Sequence, residues 1–353
     1  MKNDLSSDFR IAGRAIGPDQ PPYIVAELSG NHNGDINRAF ALIEAAKKAG
    51  ADAVKLQTYT ADTLTIDHDG PEFRIGEGLW AGRKLYELYQ DAHTPWEWHE
   101  ALFEKGRKLG IAVFSAPFDP SGVDFLESLD APAYKIASFE IVDLPLIEKV
   151  ASTNKPLIIS TGMANAEEIG DAVAAARRGG NGPIILLHCV SGYPTQPRES
   201  NLRTISDMRE RFETSVGLSD HTLGTAVSVA AVSLGAVLIE KHVTLARADG
   251  GPDAAFSLEP DELALLCRSC RDAWAALGSV NYERKESEVG NVVFRRSLYA
   301  VTDIDAGEVI TTATVRSIRP GYGLAPRHLP EILGKRAKVR IARGTAMSWD
   351  LIA

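Results

Sequence analysis

The chain has 353 residues, 44% of them apolar and 24% charged, which suits one large α/β domain with a smaller companion and excludes disordered, collagenous and disulfide-scaffold proteins. Lys and Arg number 38 against 47 Asp and Glu, a net charge of −9, so no positive field exists to hold a nucleic acid, and a small anion would need a few cations focused in one pocket. The three cysteines fit a reducing compartment, no apolar run is long enough for a membrane partner, and the opening MKNDLSSDFR lacks the apolar stretch of a signal peptide, so the expected location is the cytoplasm.

Apolar, β-branched runs predict strands at 23–28, 53–57, 111–116, 134–138, 156–161, 184–189, 215–220 and 238–244. Helical patterns alternate with them, as in INRAFALIEAAKKAG, closing on Gly50, and DAVAAARRGG, with Gly179 at its end. Runs this continuous suit strands buried on both faces. Eight βα units predict an α/β fold, a (β/α)8 TIM barrel; a doubly wound sheet would carry a glycine fingerprint after its first strand, and none is there. The longest interruption, 58–98, includes GLWAGRKLYELYQDAHTPWEWH. Taken singly, Trp80, Tyr86, Tyr89, Trp96 and Trp98 read as aromatics packed on the barrel wall. The insertion as a whole reads as a segment that shapes specificity or closes the site.

Residues 290–353 hold ten Lys/Arg and five Asp/Glu, against 28 and 42 before them, so a basic module (+5) follows an acidic body (−14). The predicted organisation is a barrel over 1–278, a polar linker, SVNYERKESEVGN, over 279–291, and a small β-rich domain over 292–353.

Chemistry in a TIM barrel sits at the C-terminal ends of the strands. There the sequence places Glu27, Asn31, His32 and Asn33; Lys55 and Gln57; Lys135, Ser138 and Glu140; Ser160 and Thr161; His188, Ser191 and Tyr193; Ser219, Asp220 and His221; and Glu240, Lys241 and His242. Buried strands carry so many polar groups only for a ligand or for one another. Lys55 and Lys135 allow three readings: an anion site for phosphate plus carboxylate, ion pairing with Glu27 or Glu140, or a Schiff-base lysine. His221 and His242, on neighbouring strands, suit either a divalent metal (Mn²⁺, Mg²⁺, Zn²⁺ or Fe²⁺) or hydrogen-bonded structural roles. His32 and His188 read as structural, and Cys267 and Cys270, three apart on an amphipathic helix, as core residues.

Taken together, AELSGNHNGD, AGADAVKLQTY, YKIASFEI, KPLIISTGMA, LHCVSGYPT, GLSDHTLG and EKHVT resemble the sialic acid synthase family over nearly the whole chain. The segments GLWAGRKLYELYQDAHTPWEWH and AELSGNHNG look like the branch using 2,4-diacetamido-2,4,6-trideoxy-L-altrose rather than the legionaminic or N-acetylneuraminic branches. The resemblance implies a carbon–carbon bond-forming transferase that condenses phosphoenolpyruvate with an N-acetylated aldose, releasing phosphate. It also implies a divalent cofactor, Mn²⁺ first and Mg²⁺ or Co²⁺ next, and a C-terminal antifreeze-like (SAF) domain capping the partner's barrel in a domain-swapped homodimer. By resemblance the metal falls on His221 and His242, and phosphoenolpyruvate on Lys55, Gln57, Lys135, Ser138, Ser160, Ser191 and Ser219. Glu27 positions or deprotonates water, while Asp253, Tyr193 and Arg319 (in RPG) serve the sugar. FSAPF carries Ala116 where the neuraminic branch has a hydroxyl residue, with Ser115 or a water as its replacement, and HCVSGY carries Ser191 in place of Asn. The remaining alternatives are a Schiff-base aldolase and a non-catalytic sugar- or ice-binding protein.

Overall fold

The computed structural model describes residues 9–353; most of MKNDLSSDFR, on which the signal-peptide expectation rests, lies outside them. A hairpin of β1 (Arg10–Ile11) and β2 (Arg14–Ala15) precedes eight parallel strands: β3 (Tyr23–Glu27), β4 (Ala53–Thr58), β5 (Ala112–Pro117), β6 (Tyr134–Ile136), β7 (Leu157–Ser160), β8 (Ile184–Cys189), β9 (Ser215–Asp220) and β10 (Leu238–His242). They run in chain order around a closed barrel, and β10 pairs with both β9 and β3. All eight predicted strands are present. The fourth is shorter than expected because Ser138–Glu140 coils into a 3-10 turn, and the eighth stops at His242.

The helices are α1 (Ile36–Ala49), α2 (Ala61–Leu64), α3 (Leu85–Ala92), α4 (Trp96–Leu109), α5 (Pro120–Ser128), α6 (Leu144–Ala151), α7 (Ala166–Gly179), α8 (Thr204–Phe212), α9 (Ala226–Ser233) and α10 (Pro260–Leu277). Local chemistry sets their ends. Asp35 caps α1 by accepting the Asn37 N–H at 2.8 Å, and Gly50 ends it at φ 91°, a conformation that strains any residue with a Cβ. Asn165 and Glu168 form a capping box on α7. α2 and α3 lie in the 58–98 insertion. Among the described residues no helix is long and apolar enough to cross a membrane.

Period-two alternation sorts each barrel strand into two sets. One set, including Ile24, Ala26, Val54, Leu56, Val113 and Leu186, packs against the helices in the main core. The other, including Tyr23, Val25, Ala53, Phe114, Ile158 and Leu187, fills the barrel interior with Phe9, Ile11 and Ile16 from the hairpin region. The hairpin thus closes the floor. Above this apolar layer the inward positions turn polar: Glu27, Lys55, Lys135, Ser160, Ser219 and Glu240.

A second unit, Ser279–Ala353, has its own core of Leu298, Ile304, Ile310, Val315, Ile332 and Ile341. A one-turn helix, α11 (Glu286–Val289), precedes β11 (Ser297–Ala300), which pairs antiparallel with β12 (Val315–Ile318). The remaining β-pairing consists of single bridges such as Ile304 with Ile341 and Val309 with Arg336.

Candidate active site

Lys55 is the third residue of β4 and Lys135 the second of β6. Both side chains are almost wholly buried, and both donate to one carboxylate oxygen, Glu240 Oε1, at 3.0 and 3.2 Å. Ser219 Oγ donates to the same oxygen at 3.3 Å. Lys55 also pairs with Glu27 Oε2 at 3.1 Å, and Gln57 Nε2 donates to Glu27 Oε1 at 2.9 Å. The expected Lys–Glu pairing is therefore present, with Glu27 and Glu240. Glu140 stands apart from it. Its Oε2 atom is buried with no hydrogen-bond partner among the described residues.

Electrostatics divide the three carboxyls. Burial alone would raise Glu240, but the Lys135 and Lys55 ammoniums overcome it and hold the group down at about 2. Burial wins at Glu27, raised to about 7 against the pull of Lys55, and at Glu140, also raised to about 7. Burial depresses Lys135 despite Glu240, whereas Lys55, between two carboxylates, ends above its ordinary value. Each ammonium has three N–H donors. Those not spent on Glu240 and Glu27 are available to an anion, so pairing and anion binding are compatible uses of the same lysines.

Lys55, Gln57, Lys135, Ser138, Ser160, Tyr193, Ser219, His221, His242 and Asp253 line one cavity of 390 Å³ at the C-terminal ends of the strands. Glu27 lies under it, bonded to Gln57. Ser160 Oγ is buried with no hydrogen-bond partner among the described residues. At one corner the Gly162 N–H donates to Ser138 Oγ at 3.2 Å, and a Cβ on Gly162 would collide with the hydroxyls of Ser191 and Ser138. Glycine is required there by close approach, leaving a cradle of hydroxyls beside Lys135. Arg319 belongs to the second unit, where it is exposed.

The histidine rings of His221 and His242 are 5.3 Å apart. His221 Nδ1 donates to Val190 O at 2.9 Å, which leaves Nε2 free. Among the described residues His242 Nδ1 is buried without a hydrogen-bond partner, and it lies 3.7 Å from Asp253 Oδ2. Burial holds His242 well below its ordinary value, so its imidazole is neutral. Two free imidazole nitrogens with a nearby carboxylate fit a divalent ion. Among the described residues no group of three or more His, Cys, Asp or Glu is arranged for a metal.

Several expectations need correction. Ser115 cannot replace a contact at Ala116. Alternation turns Ser115 outward, where its hydroxyl meets Thr58 Oγ1 at 2.6 Å, and Thr58 in turn meets His99 Nε2 at 2.9 Å. Asp220 and Lys241 also face outward, paired to each other at 2.8 Å. Trp80 and Tyr89 line the cavity rather than only packing on the wall, and Trp80 Nε1 donates to Pro252 O at 2.9 Å. Trp96 stacks on Phe125 and Trp98 meets His32 edge-on, as packing residues do. His32 bonds Thr94, His188 bonds Ser200 O, and Cys267 and Cys270 are buried on α10, all as expected. Glu240 as the shared acceptor, and Tyr59 and Phe139 as lining groups, were not singled out.

A closed parallel barrel whose strand ends converge on buried lysines, serines and histidines has the architecture of a TIM-barrel enzyme. Residues 42–282 match the NeuB family and residues 295–353 the SAF domain. The chain is 45% identical over 329 residues to a pseudaminic acid synthase of Campylobacter jejuni subsp. jejuni serotype O:23/36, covering 93% of this chain and 96% of that protein. It is 44% identical over 335 residues to a pseudaminic acid synthase of Helicobacter pylori, covering 94% and 98%. Among solved structures, the N-acetylneuraminic acid synthetase of Leptospira borgpetersenii serovar Hardjo-bovis, in complex with citrate, aligns with TM-score 0.72 at 32% identity, covering 80% of this chain and 94% of that one. The chain belongs to the NeuB family, the sialic acid synthases.

Proposed function

We propose that the protein is a pseudaminic acid synthase, condensing phosphoenolpyruvate with 2,4-diacetamido-2,4,6-trideoxy-L-altrose to give pseudaminic acid and phosphate. The observation that carries the reading is the single cavity in which two buried lysines, a hydroxyl cradle and a histidine pair share a polar floor beneath an aromatic wall. The names of the Campylobacter and Helicobacter relatives support the branch.

Lys55, Lys135 and the hydroxyls of Ser138, Ser160, Ser191 and Ser219 bind the phosphate and carboxylate of phosphoenolpyruvate and fix its orientation, with Gln57 beside them. His221 and His242 would hold a divalent ion, Mn²⁺ first, which when bound supplies Lewis acidity toward the sugar's aldehyde oxygen. The enol π electrons form a bond from C3 of phosphoenolpyruvate to the aldehyde carbon, whose oxygen takes the proton carried by Glu27. Water adds to the resulting cationic C2 and returns a proton to Glu27, and the C2–O bond breaks as the C2 hydroxyl becomes the ketone, its proton leaving with phosphate. Asp253, Tyr193 and a partner's Arg319 orient the open-chain sugar, in a cytoplasmic homodimer whose SAF domains cap one another's barrels. The wall of Trp80, Tyr89, Leu64 and Ile75 suits the methyl end of a 6-deoxy sugar.

The test is phosphate release from phosphoenolpyruvate with Mn²⁺, across the candidate aldoses, with and without EDTA. Metal-dependent release confined to the trideoxy-L-altrose is expected. Preference for N-acetylmannosamine or the D-manno diacetamido sugar would move the enzyme to a sister branch, and no release with any sugar would overturn the reading. Borohydride with substrate is expected to trap no adduct; a covalent lysine adduct would turn the assignment to an aldolase.

A further inference from the structure

Asp220 and Lys241 stand directly opposite one another in the β9–β10 register, and each immediately precedes a histidine of the pair. Their side chains point to the helix layer, while His221 and His242 point into the cavity. Lys241 Nζ donates to Asp220 Oδ2 at 2.8 Å and to Thr222 O at 2.6 Å. Asp220 Oδ1 accepts the Thr222 N–H and hydroxyl at 2.8 and 2.7 Å, and Oδ2 accepts Ser228 Oγ of α9 at 2.5 Å. The residues on both sides of His221 are thus tied to the residue before His242, and all are anchored to a helix. Ion pairs this deeply buried are weak sources of stability, since desolvation offsets most of the attraction. A role in fixing geometry accounts for one placed behind both histidines.

We propose that the Asp220–Lys241 pair positions the metal site, locking the strand register and backbone from which His221 and His242 present their free nitrogens. The inference rests on the metal reading above. Neither residue touches substrate, and both act through the histidines.

The test uses the full chain stripped with EDTA, titrated with Mn²⁺ and followed by electron paramagnetic resonance. Near-UV circular dichroism reports packing, and metal-free phosphoenolpyruvate binding by calorimetry reports the anion side. In Lys241→Met, and in the charge-neutral Asp220→Asn/Lys241→Met, the Mn²⁺ Kd is expected to rise about tenfold to a hundredfold. The near-UV spectrum should persist and phosphoenolpyruvate affinity should stay within about twofold of the parent. A folded variant that binds Mn²⁺ like the parent overturns the proposal. Equal weakening of Mn²⁺ and phosphoenolpyruvate overturns it too, because that reports general damage to the barrel mouth. If the charge variants fail to fold, Ser228→Ala, which keeps the ion pair and removes one donor, should still weaken Mn²⁺ about threefold or more, and an unchanged Kd there counts against the clamp. A parent that binds no Mn²⁺ removes the metal reading, and this inference with it; a parent that binds while the variants bind equally well removes this inference alone.

Discussion

Glu27 and Glu240 flank the same lysine yet sit at opposite ends of the carboxylate range, about 7 and about 2. A group near neutrality can exchange a proton during turnover, while one held far below it serves as a fixed counter-charge. Glu27→Gln should therefore keep phosphoenolpyruvate affinity, since Lys55 retains Glu240, and lose about a hundredfold or more in kcat. Near-normal turnover would remove Glu27 from the chemistry. Lys135→Met is expected to leave the fold intact, with Glu240 still paired to Lys55, and to weaken phosphoenolpyruvate about tenfold to a hundredfold by calorimetry, the worth of a charge-assisted hydrogen bond. The two lysines and two histidines were legible in the sequence because buried strands rarely carry such groups without a use. Their shared acceptor was not. Choosing among Glu27, Glu140 and Glu240 requires the non-local register that brings β4, β6 and β10 together, and nothing in one strand's pattern contains it.

At the scale of elements, alternation decides which polar residue serves the site. Applied strictly, it would have assigned Ser115 outward and Ala116 inward from the sequence alone. The outward chain of Ser115, Thr58 and His99, with His99 Nδ1 donating to Pro95 O at 3.1 Å, ties β4 and β5 to the start of α4. Burial pushes His99 down to about 4. The unfolded chain takes up a proton near pH 6.5 and the native state only near 4, so stability is full above 6.5 and falls as pH drops to 4. The loss is about 3 kcal/mol, with no further loss from this residue below that. His99→Gln should flatten this slope in denaturant melts at pH 7, 5.5 and 4; an unchanged slope would show that other groups set it. The insertion was legible as a unit from its length, but which aromatics face inward depends on its tertiary path. Trp80 is fixed by Pro252 O and faces Tyr193 with ring centroids 5.7 Å apart. Trp80→Ala should raise the sugar KM about tenfold and cut the preference for the methyl-bearing sugar over its hydroxymethyl counterpart severalfold. An unaltered ratio would place selection elsewhere.

For the whole molecule, the proposed exchange of SAF domains has a direct test. Glu27→Gln and Arg319→Ala should each be nearly inactive alone. If the arginine acts on the partner's barrel, co-expressed subunits assembling at random should recover about a quarter of parental activity, because half the dimers carry one site with both residues intact. No recovery would mean that Arg319 acts within its own chain or not at all. The barrel itself was legible as eight apolar runs at regular intervals. The second unit was legible mainly as a change of charge and turn content, since most of its pairing is single bridges that leave little periodicity.

The apolar layer sealed by the β1–β2 hairpin has a kinetic corollary. A chamber closed below, among the described residues, is reached from the C-terminal ends of the strands, so arrivals and departures should queue. Under the proposed reaction, buried lysines below an aromatic wall should order the traffic: phosphoenolpyruvate is expected to enter before the sugar, and the sugar acid to leave before phosphate. Product-inhibition patterns should then show phosphate competing with phosphoenolpyruvate alone, and an excess of sugar should slow turnover by lodging ahead of its co-substrate.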